Sequence, residues 1–300
     1  MSAVHHHNCP VCKQNRLEKV LIIPDHSVSK EAFAVWECAD CSLRFTQDVP
    51  DQASIGRYYA SDAYISHTDT RKGLISVLYH WVRSFTLVSK LRLVIRVTRR
   101  KTGNLLDIGA GTGAFLHTMK KAGWQVTGLE PDAGARKIAK AKHQLVLLES
   151  DALFKLDSAK YDAITLWHVL EHVHSLDEYL DTISKLLKQE GKLIVAVPNY
   201  SSGDAAHYQT YWAAYDVPRH LYHFSPKSMR ILMQAHGLEV VETRPMWFDS
   251  FYVSMLSESY RPQGGGIVSA FWQGLKSNWK AIKDKERASS LIYVIRKRSA

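Results

Sequence analysis

Residues 103–116 read Gly-Asn-Leu-Leu-Asp-Ile-Gly-Ala-Gly-Thr-Gly-Ala-Phe-Leu, and the reading of the rest of the chain turns on them. Leu105, Leu106 and Ile108 form an apolar strand that runs into three alternate glycines, Gly109, Gly111 and Gly113. Phe115 and Leu116 then open a helix. A strand, glycine turn and helix in this order let backbone approach a ligand closely, because glycine lacks a Cβ and tolerates positive φ. The helix start adds free N–H groups that suit an anionic group. The glycines alone leave two ligands open. Gly109-x-Gly111-x-x-Ala114, with Glu130 about 20 residues on, also fits a dinucleotide fingerprint. Asp107, an acid inside the strand end, and the extra glycine, Gly113, distinguish the two.

From Gly103 onward, strand and helix patterns alternate, as in a mostly parallel sheet. The strands are expected at Asn104–Ile108, Gln125–Glu130, Leu145–Leu148, Tyr161–Trp167, Lys192–Val197, Leu238–Thr243 and Ser290–Arg296. Helices are expected near Ala114–Ala122, Gly134–Lys142 and Leu176–Lys188, the last stopped by Gly191, and from Ser225-Pro226 to Gly237. Residues 198–224 read as an aromatic- and histidine-rich loop, and residues 247–289 as an insertion with a basic helix.

With these motifs assembled, the chain resembles the class I S-adenosylmethionine (SAM)-dependent methyltransferases, whose first motif is acid-x-Gly-x-Gly-x-Gly. Residues 161–173, Tyr-Asp-Ala-Ile-Thr-Leu-Trp-His-Val-Leu-Glu-His-Val, resemble the strand-four motif of the ubiquinone-biosynthesis type. Val197-Pro198-Asn199 resembles the segment after strand five. The resemblance covers residues 100–245 and implies a Rossmann-like α/β fold with seven strands, the last inserted antiparallel. It implies SAM as cofactor, touched by Asp107, Gly109, Ala110, Gly111, Gly113, Glu130, Pro131, Asp151, Ala152, Trp167 and His168. Ligands of open parallel sheets sit beyond the carboxyl ends of the strands. Glu130 ends its strand there and can accept both ribose hydroxyl hydrogens. For Asp151, contact with the adenine amino group is implied by the resemblance.

Four cysteines lie in the first 41 residues, as Cys9-Pro-Val-Cys12 and Cys38-Ala-Asp-Cys41 with 25 residues between the pairs. Two such knuckles suit a tetrahedral thiolate zinc site. Four thiolates leave no open position for chemistry, so the zinc is expected to be structural. The strand-like pieces Lys19–Ile23 and Ala32–Trp36 make this front a zinc ribbon. The expected division is a ribbon over residues 1–50, a helical connector or lid over 51–102, and a methyltransferase domain over 103–300 with insertions at 198–224 and 247–289. Tyr58, Tyr59 and Tyr64 are candidate lid residues.

The formal charge is +10, and nine Lys or Arg with no acid lie between Arg71 and Lys101. A second basic run extends from Lys276 to Arg298. Such runs suit an anionic partner or a solvated face. The apolar stretch Leu74–Val97 carries His80, Arg83, Lys90, Arg92 and Arg96, which argues against spanning a bilayer. Its stripe of Leu74, Leu78, Trp81, Phe85, Val88 and Ile95 suits packing on the catalytic domain or contact with a membrane surface. No signal peptide is visible, and a cytoplasmic location is expected.

A hydroxyl nucleophile needs a base, and histidine suits neutral pH. His168 and His220 are the favoured candidates, with Glu171, His172 and His223 nearby in sequence. Arg219 suits a substrate carboxylate or phosphate, or bracing of its own loop. Nucleic-acid amino-methylating enzymes of this fold carry Asn/Asp-Pro-Pro-aromatic after strand four, whereas this chain has Trp167-His168-Val169-Leu170. The resemblance extends to bacterial proteins that join a ribbon to this core in cell-surface glycan or lipid biosynthesis. The expected substrate is therefore a small-molecule, sugar or lipid-linked intermediate, O-methylated, with membrane-surface contact. RNA methylation through the ribbon and basic patches, or SAM binding without catalysis, are the alternatives.

Overall fold

The computed structural model describes residues 3–59 and 74–298, with side chains from residue 85 onward in the second stretch. The ribbon opens with β1 (Ala3–Val4) and the Cys9–Cys12 knuckle. An antiparallel hairpin of β2 (Leu17–Pro24) and β3 (Ala32–Cys38) follows. β-Branched and aromatic residues at alternate positions of β3 bury Phe33 and Val35 on one face. β4 (Arg44–Thr46) extends this sheet, and β5 (Val49–Pro50) pairs back with β1.

Helix α1 (Leu74–Thr98) leads into the central sheet. Leu93 and Val94 are buried among Leu105, Leu116 and Ile194, so the C-terminal half of α1 packs on the catalytic core. Ile95 packs on the same cluster, while Phe85 and Val88 face outward. The side chains of Leu74, Leu78 and Trp81, and all of Tyr64, lie outside the described residues.

The sheet is built from β6 (Asn104–Ile108), α2 (Ala114–Lys121), β7 (Gln125–Leu129), α3 (Ala133–His143), β8 (Tyr161–Trp167), α4 (Leu176–Leu186) and β9 (Leu187–Pro198). There follow α5 (Gly203–Tyr208), β10 (Tyr222–His223), α6 (Pro226–Ala235), β11 (Leu238–Pro245), α7 (Asp249–Tyr260), α8 (Gly266–Lys283) and β12 (Ser290–Lys297). Strand order is β11-β12-β9-β8-β6-β7. β7, β6, β8 and β9 run parallel, and β12 inserts antiparallel between β9 and β11. Apolar side chains cover both faces of β6 and β8, as a parallel sheet flanked by helices requires. This is the Rossmann-like architecture expected from the sequence.

Two expectations are corrected. Among the described residues the sheet has six strands rather than seven, because Leu145–Leu148 contributes only a parallel bridge from Leu148 to Leu129. Leu145 and Leu147 are buried while Val146 is 76% exposed, so this edge segment is anchored by one face alone. Its backbone still tracks β7, with Glu130 N–H donating to Leu148 O and Leu148 N–H to Gly128 O. Secondly, Gly191 does not stop a helix. α4 ends at Leu186, and Gly191 lies inside β9, where a Cβ would come within 2.9 Å of the Tyr161 carbonyl. The glycine permits close approach of β8 and β9.

The 198–224 segment is not a free loop. Its β10 pairs with β4, giving the ribbon sheet the order β10-β4-β3-β2. Trp212 and Tyr215 of this segment are buried with Phe33 and Val35 of the ribbon. Arg219, 1% exposed, braces the junction. Its Nη2 donates to Asp25 at 2.9 Å and to Asp216 at 2.6 Å, and its Nη1 donates to Tyr58 O at 2.7 Å. These internal partners make Arg219 a brace rather than a substrate ligand. Tyr58 is likewise buried, with its hydroxyl donating to Glu31 at 2.6 Å.

Burial alone would raise Asp25, but Arg219 and the N–H of Ser29 hold its carboxyl well below the usual range. Its stabilising contribution is complete above the ordinary carboxylate pKa of about 4 and fades as pH falls. Arg219→Lys keeps the charge but loses the fork. It is expected to cost about 1–3 kcal/mol in urea unfolding at neutral pH, and less in acid. Unchanged stability would show that the pairing contributes nothing.

Candidate active site

The site forms where β6, β7 and β8 end. The N–H groups of Gly109 and Ala110 both donate to Leu129 O, at 2.8 and 2.9 Å, which binds the glycine turn to the end of β7. Gly109 has φ +73°, and a Cβ there would lie 2.4 Å from Val169 Cγ2. Gly111 has φ +54° with nothing within 4 Å of a Cβ position, so its backbone borders open space. Gly113 caps α2.

Glu130 directly follows β7 and is 8% exposed. Its carboxylate accepts the N–H groups of Gly111 at 2.7 Å and Asp132 at 3.0 Å, leaving further lone pairs for a ligand. Pro131 is exposed beside it, and Asp132 caps α3 by accepting from Ala135 N–H. Asp107 is buried and accepts from Thr165 Oγ1 at 2.6 Å. Burial raises its pKa, and Thr165 and Lys90 oppose that. Lys90, from α1, places its ammonium 4.1 Å from the centre of the Trp167 ring. Burial pushes Lys90 down, while Asp107 and Asp249 push it up. Trp167 Nε1 is buried and has no hydrogen-bond partner among the described residues. Asp151 is exposed and Ala152 half-buried on the short 3-10 helix Ser150–Lys155, at the rim beyond Leu148.

His168 has φ +58°, an unusual backbone for a non-glycine residue, at the point where β8 turns away. Its Nε2 lies 3.1 Å from Asp249 Oδ2 and its Nδ1 3.4 Å from Glu171 Oε1. Burial alone would lower its pKa, but Asp249 and then Glu171 raise it to about 10. His168 is therefore an imidazolium at neutral pH. Glu171 is fully buried, and neither oxygen has a hydrogen bond among the described residues.

Behind Glu171 stand His172 and His220, the ligand-capable atoms of the three residues lying within 4.8 Å of one another. His172 Nδ1 lies 3.0 Å from both Tyr59 Oη and Arg219 O, and burial with His220 lowers it to about 4. His220 Nδ1 lies 2.9 Å from Ala214 O, which accepts from it, and its Nε2 lies 4.0 Å from Asp216 Oδ2. His223 is buried beside Thr46, in the seam with the ribbon.

The structure thus gathers Asp107, the glycine turn, Glu130, Trp167 and His168, and sets Glu171, His172 and His220 behind them. Lys90 and Asp249 were missed as site residues. Lys90 sits in a helix whose sequence reads only as an amphipathic stripe, and Asp249 belongs to the distant 247–289 insertion. No spacing motif connects either to the glycine turn.

The four cysteines form a second centre. Cys9 Sγ and Cys41 Sγ are 3.4 Å apart, Cys12 Sγ and Cys38 Sγ 3.5 Å, and all four lie within 4.8 Å of one another. These separations exceed a disulfide bond of about 2.05 Å. They approach the edge of about 3.8 Å expected for four sulfurs around zinc at about 2.3 Å. The donor set fits structural zinc. Cys9, Cys38 and Cys41 share a buried cluster with Leu176 and Tyr222, so the knuckles pack onto the catalytic body.

Residues 80–243, more than half of the chain, match the family described as Methyltransferase domain. The chain belongs to that family, and its sheet order and glycine turn give it the class I methyltransferase fold. An uncharacterized methyltransferase of Alkaliphilus oremlandii is 29% identical over 106 residues, which cover 34% of this chain and 49% of that protein. A ubiquinone biosynthesis O-methyltransferase of Pelagibacter ubique is 32% identical over 105 residues, covering 33% and 43%. The chain thus spans about half the length of the curated relatives it matches. Among solved structures, the 1,6-didemethyltoxoflavin N1-methyltransferase of Burkholderia thailandensis, with bound S-adenosylhomocysteine, aligns at TM-score 0.50 and 16% identity. The alignment covers 88% of this chain and 99% of that one, and it speaks to the fold alone.

Proposed function

We propose that this protein transfers the methyl group of SAM to a hydroxyl of a small-molecule, sugar or lipid-linked biosynthetic intermediate, with structural zinc in its ribbon. The observation that carries the reading is the open space over Gly111 beside Glu130, whose carboxylate is pre-oriented by two backbone N–H groups. The unpartnered Trp167 Nε1 supports it, as a buried donor awaiting an acceptor.

When bound, SAM supplies an electrophilic methyl on a sulfonium centre. Glu130 accepts hydrogen bonds from ribose hydroxyls, and the glycine turn gives room to the amino-acid end. Asp151 at the rim accepts from the adenine amino group. His168, with about a third of its side chain exposed, is the cluster member that reaches the cleft and holds the acceptor oxygen. Being protonated at neutral pH, it acts as a base only after releasing that proton. The proton that His168 takes from the hydroxyl leaves to solvent through its exposed third, while Glu171 and Asp249 hold the ring and His220 stands behind Glu171.

Calorimetry with SAM and S-adenosylhomocysteine tests the cofactor assignment. Methyl-labelled SAM incubated with a cell extract, then fractionated into lipid, glycan and RNA, tests the acceptor. Label in lipid or glycan is the expected result. Label in RNA overturns the substrate class, and absence of affinity for either compound overturns the reading.

The carboxylates that raise His168 set its pH dependence. In the wild type, kcat/KM is expected to climb with pH toward about 10 as His168 loses its proton. Asp249→Asn removes the carboxylate that does most to hold the proton on His168, and the limb is expected to move down by about one pH unit or more. A limb that stays in place would exclude His168 as the titrating base.

A further inference from the structure

The second long helix of the 247–289 insertion has three distinct sides. Ala270, Gly274, Ser277 and Ala281 are buried, and Gly274 lets α8 pack closely against Phe251 of α7. At 3.6 residues per turn, an adjoining sector carries Val268, Phe271, Trp272, Leu275, Trp279 and Ile282. All six are open to solvent, from 41% exposed at Leu275 to 71% at Val268. The next sector holds Lys276, Lys280 and Lys283, a basic row along one edge of the apolar face. Residues 266–283 contain no Asp or Glu.

Scattered exposed apolar residues are ordinary, but a continuous face of this kind marks an interaction site. It also continues toward the cleft. Asn278 donates to Trp247 O at 2.9 Å, and Trp247 and Phe248 are 41% and 40% exposed. The Phe248 ring lies 5.7 Å from Phe85 of α1. Asp249, the next residue, is the carboxylate that faces His168.

We infer that α8 docks this protein in the headgroup layer of an anionic lipid bilayer, with the mouth of the cleft beside the membrane. Tryptophan and aliphatic side chains on one side, with lysines along the edge, suit partial immersion in the interface. The lysines lie where lipid phosphates would meet them. Lys283 already lies 4.3 Å from the centre of the Trp279 ring, so charge and ring sit at one level. A symmetric contact with a second copy fits less well, because it would oppose two basic rows with no acid on the helix to pair them. Among the described residues no helix is long and apolar enough to cross a membrane, so α8 lies on the surface. The segment Leu74–Val97, which the sequence suits to packing on the catalytic domain or to membrane contact, buries Leu93 and Val94 in the core. Resting on the proposed methyl transfer, this geometry selects the lipid-linked acceptor from the classes above.

The test is flotation of the full chain with vesicles of phosphatidylcholine alone and of phosphatidylcholine mixed with phosphatidylglycerol, at low and high salt. Binding to the mixed vesicles is expected to be roughly tenfold tighter or more at low salt. Trp272→Ser with Trp279→Ser should remove binding to both. Lys276→Glu with Lys283→Glu should remove the preference for phosphatidylglycerol. All four residues are exposed, so SAM affinity measured on the same samples should be unchanged. Absence of flotation, or flotation that neither double variant alters, overturns the proposal. So does a dimer in sedimentation that the tryptophan variant dissociates, since the face would then belong to a second copy. Failure of the wild type to bind SAM would sink the methyl-transfer reading, while flotation would still judge the docking.

Discussion

Changing Cys9 and Cys41 together to serine is expected to give a chain without zinc and without methyl transfer. Each knuckle then retains a single thiolate, Cys12 or Cys38, and two sulfurs do not close a tetrahedral site. Structural zinc contributes about 10–16 kcal/mol of apparent binding free energy in small zinc domains, and that energy is folding energy. A front of roughly fifty residues has too little core to replace it. The damage should reach the active site, because Thr46 N–H donates to Leu221 O at 2.9 Å and Thr46 Oγ1 to His220 O at 2.7 Å. Metal analysis, thermal unfolding and turnover read the three effects. A wild-type protein that purifies fully stable with no bound zinc would refute the structural role.

Glu130→Ala is expected to weaken SAM binding by about 100-fold or more in calorimetry. The carboxylate holds the glycine turn through Gly111 and is the proposed acceptor for the ribose hydroxyls. Hydrogen bonds to a charged group contribute about 1.5–3 kcal/mol each, and tenfold in affinity corresponds to about 1.4 kcal/mol. Glu130→Gln keeps one acceptor oxygen and should retain part of the affinity. If the alanine variant binds SAM like the wild type, the ligand lies elsewhere. If it merely unfolds, the glutamine variant still decides the question.

Where local pattern and tertiary role agree, the fold was readable from the residues. Asn104–Ile108 and Tyr161–Trp167 occur as strands with the expected bounds, since continuous apolar runs bounded by glycine or polar residues have few other homes. Leu145–Leu148 looked like a strand by composition, but its pairing depends on an edge that the sequence does not describe. Gly191 carried a helix-stop signature although its role is close strand contact. In the site, Asp107, Glu130 and Trp167 were legible because short motifs fix them at strand ends. Asp249 was not, since a carboxylate from a remote insertion leaves no local trace. Likewise, the lysines of residues 276–283 were visible as charge. The exposed tryptophans beside them became meaningful only once the buried side of α8 was known.

The pairing of β4 with β10 gives the ribbon a role that its compact, finger-like sequence conceals. An N-terminal module with its own cysteine knuckles invites treatment as an interchangeable attachment. Here, however, it supplies a neighbouring strand to the very polypeptide that presents His220, and it contributes Asp25 to neutralise Arg219. Cutting ahead of residue 103 would bare a strand edge and strand a buried guanidinium with half its counter-charge. The unit that would have to move together in this chain is therefore discontinuous, pairing the ribbon with residues 198–224. A graft that respects chain order alone would carry β4 without β10, or Arg219 without Asp25.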